Sequence, residues 1–144
     1  MGFTTQKKYL TMKTYNVFIS HSWDHVEDLK NLRTLLEERG YFQVDFTEAS
    51  PENPIHSDKN QYVRIALSRK IGESNIVLGI AGIYASYSEW MQWELDKAIE
   101  KGIPIVGVKP WGNSNISKVV SDRAKEVVNW NTESIVTAIR KYAK

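Results

Sequence analysis

The sequence predicts an α/β fold: a flavodoxin-like three-layer sandwich, with a five-stranded parallel sheet ordered 2-1-3-4-5 and helices on both faces. Three observations point there. Short apolar runs alternate five times with stretches of helical periodicity, the pattern of repeated β–α units. The third run, Ser74–Ile80, is apolar almost throughout, as expected of a central parallel strand buried on both faces. The length of 144 residues suits one such domain, whereas an eight-fold β/α barrel takes about 250 residues.

Each element has its own signal. Tyr15–Ser20 is a short run of β-branched and aromatic residues and reads as the first strand. Val26–Arg39 carries Val26, Leu29, Leu32, Leu35 and Leu36 at helical spacing, and Gly40 follows as a stop. Asp24 is a candidate N-cap for that helix. Tyr41–Phe46 reads as the second strand, and Thr47–Lys59, with Pro51 and Pro54, as a long loop; loops of that length are usually functional or mobile. Asn60–Ile71 forms the second helix, with Val63, Ala66, Leu67 and Ile71 on one face. Ser86–Lys101 forms the third: Ser86 and Glu89 make a capping box and Gly102 ends it. Ile103–Lys109 is the fourth strand, Asn115–Ala124 a weaker helix, Glu126–Trp130 the fifth strand and Thr132–Tyr142 the closing helix. Right-handed crossovers then give the 2-1-3-4-5 order.

Composition excludes several function classes. With no cysteine, there is no disulfide framework, thiolate metal site or cysteine nucleophile. The net charge is only +2 and the signs are interspersed, so no nucleic-acid footprint is expected. The longest apolar run, Ile76–Ala85, is half a membrane span. Met1–Thr14 lacks an apolar signal core and is expected to be a flexible arm before a domain spanning 15–144. The expected setting is cytoplasmic, with no membrane and no resident cofactor. His21, His25 and His56 with scattered carboxylates give no metal spacing.

In this architecture ligands bind beyond the carboxyl ends of the strands, at the switch point between strands one and three. The residues there exclude the usual occupants of the fold. Ser20-His21-Ser22 and Ala81-Gly82 lack the carboxylates of a phosphate-accepting receiver, and neither a dinucleotide-binding glycine fingerprint nor a P-loop occurs. What remains is Trp90 and Glu94 on the third helix, one turn apart on one stripe. Met91, Leu95, Ala98 and Ile99 define the core face, with Glu94 at its edge, a half-buried carboxylate at the rim of the cleft. On spacing alone a second reading stays open, in which Glu94 is a solvated residue pairing with Lys97 and Trp90 a packing aromatic. Ser20, His21, Ser22 and Trp23 leave strand one, where turn chemistry and capping account for them equally well; Asp45 and Phe46 end strand two, and His56 lies in the long loop, where on its own it reads as an ordinary exposed histidine. Trp130 reads as core and Trp111 as rim.

Several segments resemble a known family. Tyr15–Asp24 (YNVFISHSWD) looks like the opening of a TIR domain, and Ser88–Leu95 (SEWMQWEL) matches its S-x-W-x-x-x-E-L helix motif. Pro54-Ile55-His56-Ser57, Tyr84-Ala85-Ser86-Tyr87-Ser88 and Lys109-Pro110-Trp111-Gly112 are similar to the TIR-like family of the Thoeris anti-phage system. The resemblance covers about Tyr15 to Tyr142. It implies an enzyme that cleaves the nicotinamide–ribose bond of NAD⁺, then releases, cyclises or transfers the ADP-ribose as a signal for a separate effector protein. By match to the motif, Glu94 is the catalytic carboxylate, expected to be ionised, and Trp90 closes the site. Ser20, His21, Ser22, Trp23, Asp45, Phe46, His56, Tyr84 and Ser88 would contact NAD⁺, with His21 or His56 steering the acceptor. The family pattern further implies self-association through the Thr47–Lys59 loop. Two other readings are weighed against this one: a non-catalytic scaffold, and a nucleoside or deoxynucleoside ribosyltransferase.

Overall fold

A computed structural model of the chain describes residues 13–22, 25–47, 61–82, 85–86, 88–110 and 115–144. Its elements are β1 (Thr14–Ser20), α1 (Val26–Glu37), β2 (Gln43–Thr47), α2 (Gln61–Gly72), β3 (Ile76–Ile80), α3 (Glu89–Glu100), β4 (Ile105–Val108), α4 (Lys118–Ser121), β5 (Glu126–Val128) and α5 (Thr132–Tyr142). The strands form one sheet ordered β2-β1-β3-β4-β5, every pair parallel. The predicted fold class and strand order hold.

The sheet separates two apolar layers, and strand alternation assigns each side chain to one of them. Val17 and Ile19 of β1, with Ile76, Leu78 and Ile80 of β3, face Leu29, Leu32 and Leu36 of α1 and Ile135, Val136 and Ile139 of α5. Phe18, Val77 and Ala81 point the other way, against Leu67 and Ile71 of α2 and Met91, Leu95 and Ala98 of α3. All five residues of β3 are buried, as its apolar run required. Ser20, two residues past Phe18, therefore faces the α3 layer. The register sets Ser20 opposite Gly79 of β3, and Gly79 opposite Gly107 of β4.

The structure corrects several boundaries. β1 begins at Thr14, paired with Gln43, one residue inside the segment expected to be an arm; residues 1–12 lie outside the described part. β2 begins at Gln43 rather than Tyr41, because Gly40 and Tyr41 both take left-handed backbone angles (φ 74° and 51°), which no strand continues. The cap of α3 is Ser88, whose Oγ accepts a hydrogen bond from Met91 N at 3.2 Å. The expected cap, Ser86, instead bonds Ser117 Oγ at 2.9 Å and ties the loop before α3 to the loop before α4. α4 is a single turn, since only Val120 of that segment is fully buried. β5 stops at Val128, and Trp130 packs beside the α1–α5 layer as a partly buried residue. His25, not Asp24, precedes the first helical residue of α1.

The closing helix illustrates how local chemistry fixes an end. Asn131 Oδ1 accepts from Ser134 N at 3.0 Å, satisfying a donor that the first turn leaves open. Replacing Asn131 with Ala is expected to lower stability by about 1 kcal/mol, read as a shifted urea midpoint with an unchanged slope.

Candidate functional site

α3 buries Trp90, Met91, Glu94, Leu95 and Ala98 on a single stripe. The stripe is rotated toward Trp90 relative to the predicted core face, and two consequences follow. Ile99, expected inside, is 53 % exposed. Glu94, expected half-buried at the edge, sits within the stripe and is 1 % exposed. Lys97 does not pair with it: that ammonium bonds Glu100 at 2.8 Å and lies over the Trp93 ring. Glu94 meets the sheet instead, where Ser20 Oγ donates to Glu94 Oε1 at 2.7 Å. Glu94 Oε2 is buried with no hydrogen-bond partner among the described residues.

This environment decides the charge of the group. Desolvation disfavours a carboxylate, and the single Ser20 hydrogen bond only partly opposes it. The Glu94 pKa is raised from the ordinary 4.5 to about 8. In the ligand-free protein the side chain is therefore a neutral acid at pH 7, where an ionised one was expected.

Around the tip of β1, His21 and Ser22 are both buried. Burial, reinforced by the neighbouring His25, lowers the His21 pKa against the opposing effect of a hydrogen bond that the ring donates to the Ile19 backbone carbonyl. Ser22 O accepts from His25 N at 3.0 Å, which closes the turn into α1. His25 is 6 % exposed, with Nδ1 2.8 Å from Asp28 Oδ2. The Cε1–Nε2 edge of its ring lies against Gly82, the second residue past β3: a Cβ there would fall 2.2 Å from both atoms. Sequence reasoning missed this contact. The available signal was the i, i+3 pairing of His25 with Asp28, one turn apart at the start of a helix.

The other predicted residues divide clearly. Trp90 is 8 % exposed, packed in the α2–α3 layer and edge-on to Trp93 at 5.9 Å; it is a wall of the site rather than an open roof. Ser88 is committed to capping α3. Asp45 and Phe46 do not reach the site. β2 pairs Asp45 with Asn16 and Phe46 with Val17, so both sit three or four residues back from Ser20, about 10–13 Å at strand rise. Phe46 also faces the α1 layer, beneath Arg33, with its ring centroid 5.6 Å away. Trp23, His56, Tyr84, Trp111 and the loop expected to mediate self-association lie outside the described residues. Among the described residues no three His, Asp or Glu side chains converge as metal ligands, and no helix is long and apolar enough to cross a membrane.

Comparison with known proteins identifies the family. The family model described as Thoeris protein ThsB, TIR-like domain, matches residues 18–115, which run from the last three residues of β1 through β4 and include both Ser20 and Glu94. The chain belongs to this family. No curated protein matches the sequence. Among solved structures, a 2-deoxyribosyltransferase from the psychrotolerant bacterium Bacillus psychrosaccharolyticus superposes with a TM-score of 0.60 at 17% identity, covering 83% of this chain and 89% of that one. A conserved protein from Enterococcus faecalis V583 gives 0.59 at 11% identity, covering 90% and 99%. The CMP N-glycosidase BcmB of Clostridium botulinum gives 0.52 at 14% identity, covering 87% and 98%. These likenesses establish that the ThsB TIR-like domain shares its fold with them.

The raised pKa makes Glu94 a pH-dependent load on stability. Between about pH 4.5 and about 8 the folded state holds a proton that the unfolded chain has lost, so stability falls as pH rises through that window. Glu94→Gln removes the ionisation and is expected to raise stability at pH 7 by about 3 kcal/mol, with the advantage vanishing toward pH 4. Urea unfolding of both proteins across that range checks it.

Proposed function

We propose that this ThsB TIR-like domain cleaves the N-glycosidic bond between nicotinamide and ribose in NAD⁺ and produces an ADP-ribose-derived signal. The observation that carries the reading is the buried Glu94 carboxyl, held by Ser20 at the switch point of the sheet. Glycosidic cleavage with a neutral leaving group needs no second carboxyl as proton donor, unlike ordinary glycoside hydrolysis. Nicotinamide departs from NAD⁺ uncharged. What the site must supply is negative charge beside a ribose that develops oxocarbenium character.

Glu94 suits that task in a specific way. Its Oε2 is the open acceptor for a ribose hydroxyl, while Oε1 is fixed by Ser20. A bound cation lowers the cost of ionising a buried carboxyl, so the positive nicotinamide ring favours loss of the Glu94 proton. The resulting carboxylate, in a water-poor site, stabilises the ribosyl cation strongly. Trp90 and Met91 hold the helix face that aims it. Self-association through the 47–59 loop and delivery of the product to a separate effector complete the proposal. The nucleoside-processing enzymes that share the fold make base exchange on deoxynucleosides the natural control reaction.

Glu94→Gln is expected to lower NAD⁺ consumption by about 10²–10³-fold with the fold retained, measured as nicotinamide release. In the wild-type chain, kcat/KM for NAD⁺ should rise about tenfold per pH unit below about pH 8 and level off above it, because the free enzyme must lose the Glu94 proton. A profile that falls above pH 8 would instead make Glu94 a proton donor, and exchange on deoxynucleosides without NAD⁺ turnover would move the protein to the ribosyltransferase reading.

A further inference from the structure

We infer that Lys109 binds the diphosphate of the substrate and so selects a dinucleotide over a bare nicotinamide riboside; the inference rests on the NAD⁺ reading above. Among the described residues, Lys109 is the one Lys or Arg within two residues of a strand's carboxyl end. The crevice outside those ends is the ligand-binding position of this topology.

The sheet settles which side of it the Lys109 side chain takes. Pairing continues one residue beyond β4: Ala81 N donates to Val108 O and Lys109 N to Val128 O, both at 2.9 Å. Strand alternation therefore runs on through Lys109. Val106 and Val108 face the α1–α5 layer. Ile105 faces the α3 layer, and a Cβ on Gly107 would meet Val120 and Val127 of that same layer. Lys109, two residues past Gly107, thus stands on the side of the sheet that holds Ser20 and Glu94. Ser20 is level with Gly79 and Gly107. Lys109 therefore lies two strands across and one side-chain step higher, about 10 Å sideways and about 7 Å toward the open end.

Charge and burial aim the ammonium outward. Below Lys109 the layer is closed, because Val120 fills the space in front of both glycines, 3.3 Å from a Cβ at Gly79 and 2.9 Å from one at Gly107. Lys109 is half-buried, and among the described residues no hydrogen bond or ion pair engages its ammonium. Lys97 and Arg123, by contrast, are each held by a carboxylate. A lysine so placed buries its stem and keeps the charged end at the opening. In NAD⁺ the diphosphate is joined through C5′ to the ribose whose C1′ faces Glu94, so phosphates and carboxyl belong at opposite ends of one sugar. A cation set apart from Glu94 on the same side of the sheet attracts the phosphates without neutralising the carboxylate that the reaction uses.

The test compares two substrates. Nicotinamide release by the full chain is measured with NAD⁺ and with nicotinamide riboside, which has the same scissile bond and no phosphate. Lys109→Gln is expected to raise KM for NAD⁺ by about 10–100-fold, the worth of a charge-assisted hydrogen bond. Its kcat should stay within about threefold, as for a contact made equally in ground and transition states. The preference for NAD⁺ over the riboside in kcat/KM falls by the same factor as KM rises, and Lys109→Arg restores most of it. Calorimetric titration with ADP-ribose reads the subsite without turnover: the wild-type chain is expected to bind at least about tenfold more tightly than Lys109→Gln. Lys109→Met, which keeps the apolar stem, takes the place of Lys109→Gln if that variant does not fold. An unchanged preference for NAD⁺, or equal ADP-ribose affinity in wild type and variant, overturns the role of Lys109 while leaving the NAD⁺ reading intact. A wild-type chain that releases no nicotinamide from either compound overturns the NAD⁺ reading, and the ADP-ribose titration then decides for or against Lys109 as the diphosphate contact.

Discussion

One hydrogen bond organises the site: Ser20 Oγ to Glu94 Oε1, entirely buried between the tip of β1 and the middle of α3. Neither partner belongs where it is on grounds of stability. Strand alternation turns Ser20 into an apolar layer behind Phe18, and the helical stripe carries Glu94 into the same layer between Trp90 and Leu95. An apolar pair of similar volume there would avoid the desolvation of both groups. On the proposed reading, a carboxyl at that position, with one oxygen held by Ser20 and the other without a hydrogen-bond partner among the described residues, is placed for chemistry rather than for packing.

The fold supplies the second constraint. In a 2-1-3-4-5 sheet the crossovers from β1 and β3 leave on opposite sides, so the crevice between those strands acquires walls from two different layers. The close approach of His25 to Gly82 bridges the opening from the α1 side, and the Ser86–Ser117 hydrogen bond braces the loops beyond β3 and β4. Ser117 N also bonds Ala81 O, so β3 itself anchors that brace. Ser20 thus stands at a strand end and Glu94 in the middle of a helix, positions whose backbones are already fixed by hydrogen bonding.

Much of this was legible in the sequence, and the misses have physical causes. Element types and strand order were readable because β3 is wholly apolar and the helices carry clean stripes. Spacing set Glu94 and Trp90 on one stripe and the resemblance to the TIR helix motif singled them out, but neither reported the depth of Glu94. Reading Ile99 as core turned the α3 stripe away from Trp90 and left Glu94 at its edge; the helix rolls the other way, with Ile99 in solvent. Asp45 and Phe46 were misplaced for a different reason. The end of β2 was aligned with the end of β1, whereas the register sets Thr47 level with Phe18. No local pattern reports the stagger between two strands. The S-x-x-E signal likewise named Ser86 as the cap because motif spacing cannot tell which of two serines adopts the extended backbone a cap needs.

The neutrality of Glu94 at rest bears on selectivity as well as on rate. A permanently ionised carboxylate in so dry a position would need a fixed cation beside it, and among the described residues no ion pair reaches Glu94; Lys97 and Arg123 are engaged with Glu100 and Asp96 on the solvent side. On the proposed reading a cationic pyridinium nucleotide supplies the counter-charge and the proton departs, while a neutral nucleotide of similar shape meets an acid with little tendency to ionise. Binding is thereby linked to proton release, and the discrimination lies in the free energy of ionising one buried group rather than in the shape of the crevice.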